Sequence, residues 1–194
     1  MSLPLIILAA AVLVILWGIT MYNRFIRLVQ QTKEAWADID VQLKRRYDLI
    51  PNLIETVKGY AAHERETFDA VTSARTEATK MHVDVSALTP EALMAMAGAE
   101  QGLTQALGKL FAVAEAYPDL KANTNFLELQ RELSDTENKI QASRRFYNGN
   151  VRDLAIALES FPSNIIGKTF NFSSQSFFEL PEGSEQREPV KVSF

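Results

Sequence analysis

Hydrophobic positions divide the chain into three regimes. From Leu3 to Tyr22, LPLIILAAAVLVILWGITMY, twenty consecutive residues carry no charge. Beyond them apolar residues recur at steps of three and four: Trp36, Ile39, Leu43, Tyr47, Ile50, Ile54, Val57 and Ala61, then Phe68 and Val71. Such spacing lines one stripe of an amphipathic helix. Pro51 interrupts the run, because its ring displaces the carbonyl four residues back and donates no hydrogen bond. The stripe keeps its phase across Pro51, so a kinked helix and a tight helix–helix corner both fit.

A second helix begins cleanly. Thr89 suits the N-cap, Pro90 the first helical position and Glu91 the positive end of the dipole. Leu93, Met96, Glu100, Leu103, Leu107, Leu110 and Ala114 follow at steps of three and four, until Tyr117-Pro118 stops the run. Residues 82–88 are the connection. The last long helix is expected over about 123–160, with Asn125 and Glu128 as a capping-box-like entry. Its predicted buried face is Phe126, Leu129, Leu133, Ile140, Tyr147, Val151, Leu154, Leu158 and Phe161, and Pro162 ends it. After Ser163 the pattern breaks: Phe170-Asn171-Phe172 alternates like an edge strand, and Phe177, Phe178 and Leu180 follow. A tail lying across its own bundle and a tail reaching a neighbouring subunit both fit.

The Leu3–Tyr22 stretch matches a transmembrane helix. At about 1.5 Å per residue it spans roughly 30 Å, the hydrocarbon thickness of a bilayer. Leu3, Ile7, Val12 and Leu16 are anchoring residues, while Trp17 and Tyr22 favour the membrane–water interface. A cleavable leader has a basic start and a small-x-small site beyond its apolar core. Here no Lys or Arg precedes the run, and Ala9-Ala10-Ala11 lies inside it, so an uncleaved anchor is expected. Arg24, Arg27 and Lys33 follow as a basic flank, and positive residues stay cytoplasmic. The expected topology has the N-terminus outside and the rest in the cytoplasm. Three parts result: an anchor over 1–22, a helical bundle over 23–162 and a C-terminal tail over 163–194.

Composition narrows the chemistry. The 194 residues contain no cysteine, which removes disulfides, thiol nucleophiles and Cys-ligated metals. With 20 Lys+Arg against 24 Asp+Glu the net charge is −4, and no nucleic-acid partner is expected. A two-metal carboxylate bundle needs Glu-x-x-His, but Tyr60 and Thr79 precede His63 and His82 at that spacing. His63-Glu64 is followed by Arg65-Glu66-Thr67, which is not a zinc-protease motif. There is no Walker A loop, no Gly-rich dinucleotide turn and no Gly-x-Ser-x-Gly elbow. Catalytic residues, cofactors and metal ligands are therefore all predicted to be none. Glu64, Glu100, Glu137 and Arg144 lie on or beside apolar stripes. Buried charges there should pair across helices, because an unpaired one is very costly.

Three segments carry a family resemblance: QLKRRYDLIPNLIETVKGYAAHE (42–64), EAYPDLKANTNFLELQRELSDTENKI (115–140) and RRFYNGNV (144–151). With the anchor before them and Phe161-Pro162 after, they resemble the bacterial LemA family over nearly the whole chain. The resemblance implies a single membrane helix and a cytoplasmic domain similar to a four-helix bundle, which favours a corner at Pro51. It implies no catalytic residues. The expected fold is thus all-α: a transmembrane helix, an antiparallel up-and-down bundle of four helical segments and an irregular aromatic tail. The expected function is a non-enzymatic scaffold that self-associates or organises partners at the cytoplasmic face of the bacterial inner membrane. A membrane-tethered enzyme using a carboxylate cluster, or a regulator of another membrane protein, are the alternatives. The bilayer is one expected partner and further copies of the chain another, forming a homo-oligomer larger than a dimer. Phe170, Phe172, Phe177, Phe178 and Leu180 are the candidate interface.

Overall fold

The computed structural model describes residues 2–83 and 88–178. Six helices and no strand occur among them: α1 Leu3–Lys58, α2 Arg65–Lys80, α3 Pro90–Glu115, α4 Pro118–Lys121, α5 Thr124–Glu159 and α6 Ser163–Thr169. The architecture is the all-α bundle that the periodicity predicts. Its four long segments are the inner part of α1 together with α2, α3 and α5.

The first helix runs unbroken for 56 residues. Residues 3–16 are all exposed, and the helix they begin contains an 18-residue window apolar enough to cross a membrane. Further along, Phe25, Ala35, Trp36, Ile39, Leu43, Ile50, Leu53 and Val57 are buried. The helix continues through Pro51, so the corner expected there does not form. The reason lies four residues back. Proline leaves the Tyr47 carbonyl without its usual amide donor, and Arg75 Nε of α2 donates to that oxygen at 2.8 Å. A guanidinium from the neighbouring helix thus replaces the missing bond. The chain reverses instead over 59–64, where Ala61 N donates to the Val57 carbonyl at 2.9 Å.

Two other helix starts are set by side-chain caps. Thr89 Oγ1 accepts from Ala92 N at 3.2 Å to begin α3. Asn123 Oδ1 accepts from Phe126 N at 3.0 Å to begin α5, which places the cap two residues before the expected Asn125. Antiparallel to α1, α5 sets Tyr147 edge-on to Trp36 (centroids 5.3 Å apart), while Asn123 Nδ2 donates to the Tyr60 hydroxyl at 2.9 Å. The hairpin partner of α2 is α3. Leu43, Tyr47, Ile54, Leu107, Leu133 and Leu154 are buried, each in its predicted phase.

Past α5 the pattern is less regular. Phe161, predicted to be buried, is 81% exposed, because α5 stops at Glu159 and the helical period no longer sets its direction. Phe170-Asn171-Phe172 is a helix stop rather than an edge strand. Asn171 adopts φ 54, and the backbone bonds Phe172 N to Gly167 O (2.9 Å) and Asn171 N to Lys168 O (3.3 Å) close a Schellman motif. Asparagine is among the few side chains that tolerate that left-handed position.

Candidate functional site

The most concentrated polar chemistry lies inside the bundle, where α1, α3 and α5 meet. Arg46 is 2% exposed although it follows two exposed basic residues, Lys44 and Arg45. Its Nη1 donates to Glu137 Oε2 at 2.6 Å, and Thr104 Oγ1 lies 3.5 Å away. Its Nη2 faces Glu100 Oε2, while the Tyr47 hydroxyl donates to Glu100 Oε1. The Glu100 carboxylate is thereby engaged at both oxygens, and only Glu137 keeps an outward side. Gln141 Nε2 donates to Glu137 Oε1 at 3.1 Å and holds that carboxylate in place. Burial pushes the Tyr47 phenol up to about 12, with Arg46 opposing and Asp40 reinforcing the rise. Desolvation likewise lowers Arg144, against the attraction of Glu137.

This arrangement links three helices through one guanidinium. Its geometry suits fixing helix register, because the guanidinium ties α1 to carboxylates on both α3 and α5. Beside it, between α3 and α5, lies an open groove of about 340 Å³, lined by Thr104, Leu107, Phe111, Leu133 and Glu137, with Gln130 and Asn138 at its side. Among the described residues no group of three acidic, histidine or cysteine side chains stands close enough to hold a metal ion. His82 Nε2 sits 3.3 Å from Asp40 Oδ1, near the surface and away from the buried cluster.

A second polar device holds the tail. Asn148 on α5 receives Phe178 N at Oδ1 (2.8 Å) and donates from Nδ2 to Phe178 O (3.1 Å), pairing with that residue as a strand would. Tyr147 donates its hydroxyl to Ser176 O at 2.9 Å. The Phe178 ring is 2% exposed, set edge-on to Trp36 (5.7 Å) with the Arg144 guanidinium 4.2 Å above it. Burial of Tyr147 raises its phenol to about 12.

The residues singled out from the sequence fall into distinct settings. Leu3, Ile7, Val12, Leu16 and Tyr22 are exposed along α1, with Trp17 partly covered. Arg24, Arg27 and Lys33 are exposed just beyond them. Of the candidate interface residues, Phe178 fills its own core and Phe172 stacks on Phe25 at 5.0 Å. Phe170 and Phe177 remain 54% and 43% exposed, and Leu180 lies outside the described residues. Of the charges on the apolar stripes, Glu64 accepts from the Tyr117 hydroxyl at 3.2 Å, Glu100 and Glu137 both engage Arg46, and Arg144 lies over the Phe178 ring. Arg46 was not distinguishable as a run member, yet the series Ile39, Leu43, Arg46, Ile50, Leu53 places it at a core heptad position.

Comparison with known proteins matches residues 35–194 to the model of the LemA family. Magnetosome protein MamQ 2 of Paramagnetospirillum magneticum is 29% identical over 84% of this chain and 66% of its own length. MamQ of Magnetospirillum gryphiswaldense is 26% identical with the same coverage, so this chain spans just under two thirds of these relatives. Protein LemA of Metamycoplasma hominis is 26% identical over 82% of this chain and 69% of its own.

Proposed function

The chain belongs to the LemA family, and from that premise we propose that it is a non-enzymatic, membrane-anchored scaffold. The observation that carries this reading is α1. Its exposed apolar turns pass without a break into the helix that forms the wall of the bundle, so the anchor and the body are one element. The buried polar centre supports the same reading, since Glu100 is engaged by Arg46 and Tyr47 and serves packing. Relatives named for the magnetosome and a relative named only for the family align with 84% and 82% of this chain, and neither name points to an enzyme.

The proposed setting is the bacterial inner membrane with the bundle in the cytoplasm, because Arg24, Arg27 and Lys33 follow the span closely. Self-association beyond a dimer is part of the proposal. Tethering concentrates neighbours in the membrane plane, so weak contacts through Phe177 and the helix faces suffice. A reporter fused after Phe194 should be active only in the cytoplasm; periplasmic activity overturns the topology. The native mass of the full chain in mild detergent should exceed that of a dimer. A monomer there sinks the scaffold reading.

A further inference from the structure

One end of the bundle combines several features that neither the polar centre nor the tail clasp uses. Helix α6 lies against α1 at the level where the apolar span ends. Ile166 Cδ1 approaches within 3.8 Å of the place a Gly18 side chain would occupy, and the Phe25 ring sits 3.5 Å from the corresponding point at Gly167. A side chain at Gly167 would also meet Leu158 Cδ2 of α5 at 2.8 Å, so α6 packs closely on α5 as well as on α1. Gly18 is inside the uncharged stretch and Phe25 is just past it. The short helix therefore overlaps the inner turn of the span.

What this segment shows outward is apolar. Phe161 is 81% exposed, Ile165 52% and Phe170 54%. Tyr22 of the span is edge-on to Phe170, with centroids 4.8 Å apart, so the aromatic surface is continuous with α1. Exposed cations stand near the same level: Lys168 on α6 itself, and Arg24 and Arg27 on other faces of α1. Between residues 160 and 172 Lys168 is the only charge. Large exposed apolar side chains with basic neighbours are the composition of a helix lying in a membrane interface. Their depth, fixed by contact with Gly18 and Phe25, puts them there.

We propose that segment 161–170 is a second membrane-contact element: Phe161, Ile165 and Phe170 enter the boundary between headgroups and acyl chains beside the exit of α1. Arg24, Arg27 and Lys168 face the phosphates of anionic lipid. The inference rests on the anchor reading of α1 and adds a second point of attachment to it. Two attachments seat the bundle at a set height and rotation about α1, where one helix alone leaves rotation free.

The natural absence of cysteine makes the test direct. The full chain, carrying Leu13→Cys, Phe161→Cys, Ile165→Cys or Leu127→Cys, is labelled with an environment-sensitive fluorophore. It is then reconstituted in vesicles of phosphatidylethanolamine and phosphatidylglycerol doped with spin-labelled lipid, shallow or deep. Leu127 is 43% exposed at the opposite end of α5 and serves as the water-facing reference. The label at 13 should be quenched by deep spin labels. Labels at 161 and 165 should be quenched by shallow ones at least about twofold more than the label at 127. Quenching at 13 with 161 and 165 no different from 127 overturns the inference and leaves the anchor standing. A blue-shifted but unquenched label at 161 or 165 means that another copy of the chain covers the face, and also overturns it. No quenching at 13 removes the anchor, and this inference with it.

Discussion

Arg46 is a long cation at a position that apolar residues occupy one turn before and one turn after. Its removal leaves Glu100 buried beside a single phenol, and breaking such a pair costs about 3–5 kcal/mol. Arg46→Ala should therefore lower the unfolding free energy of the detergent-solubilised protein by that amount. Arg46→Met combined with Glu100→Leu should restore most of it, since apolar residues of similar volume avoid the desolvation of both charges. A double variant as unstable as the single would assign the loss to packing rather than charge. Tyr47 and Tyr147 give a pH signature of their own. Folding holds both phenols near 12, above the value near 10 of an unfolded tyrosine. The folded chain thus binds more protons between those values. Their contribution is complete below pH 10 and is lost as pH rises toward about 12. Melting temperatures should fall over that range, and Tyr147→Phe should flatten the fall.

At the scale of the element, Pro51 and Arg75 act as one device. Arg75→Met should cost about 1.5–3 kcal/mol, the worth of a charged hydrogen bond to the Tyr47 carbonyl. In a Pro51→Ala background the amide of residue 51 takes over that carbonyl, and the same change should cost at least about 0.5 kcal/mol less. Denaturant titration of the four proteins measures the coupling; strict additivity would sink it. The device also shows the limit of the sequence. An orphaned carbonyl at Tyr47 is predictable from Pro51 alone, but its partner is 28 residues away on another helix, so the corner and the continuous helix read alike. Helix phase was legible because it depends on near neighbours: Thr89 caps as expected, and Leu43, Leu107, Leu133 and Leu154 are buried. Asn123 and Asn125 compete as caps on local pattern, and Asn123 is the one that accepts from an amide of the first turn of α5. Phe161 was misplaced because extrapolating a period past the end of a helix assigns a direction that no backbone enforces. Of the polar centre, Glu100 and Glu137 were visible as charges on stripes, while Arg46 was hidden in a basic run.

For the whole molecule, the tail and the bundle stabilise each other. Phe178 closes the gap between Trp36 and Arg144, and Asn148 pairs with its backbone. Phe178→Ala should cost about 3–5 kcal/mol, as buried phenylalanine truncations do, and should expose the tail to limited proteolysis. A tail as resistant as the parent's would show that the Asn148 pairing suffices by itself. The unbroken α1 has a mechanical side as well. Its 36 residues beyond Tyr22 make a rod of about 54 Å that is stiffened along its length by α5. With its apolar end seated in a bilayer, the rod transmits whatever inclination the hydrocarbon thickness imposes. A change of about ten degrees at the membrane would swing Lys58 sideways by about 9 Å, so an α1 seated in this way would act as a lever whose short arm lies in lipid and whose long arm carries the body.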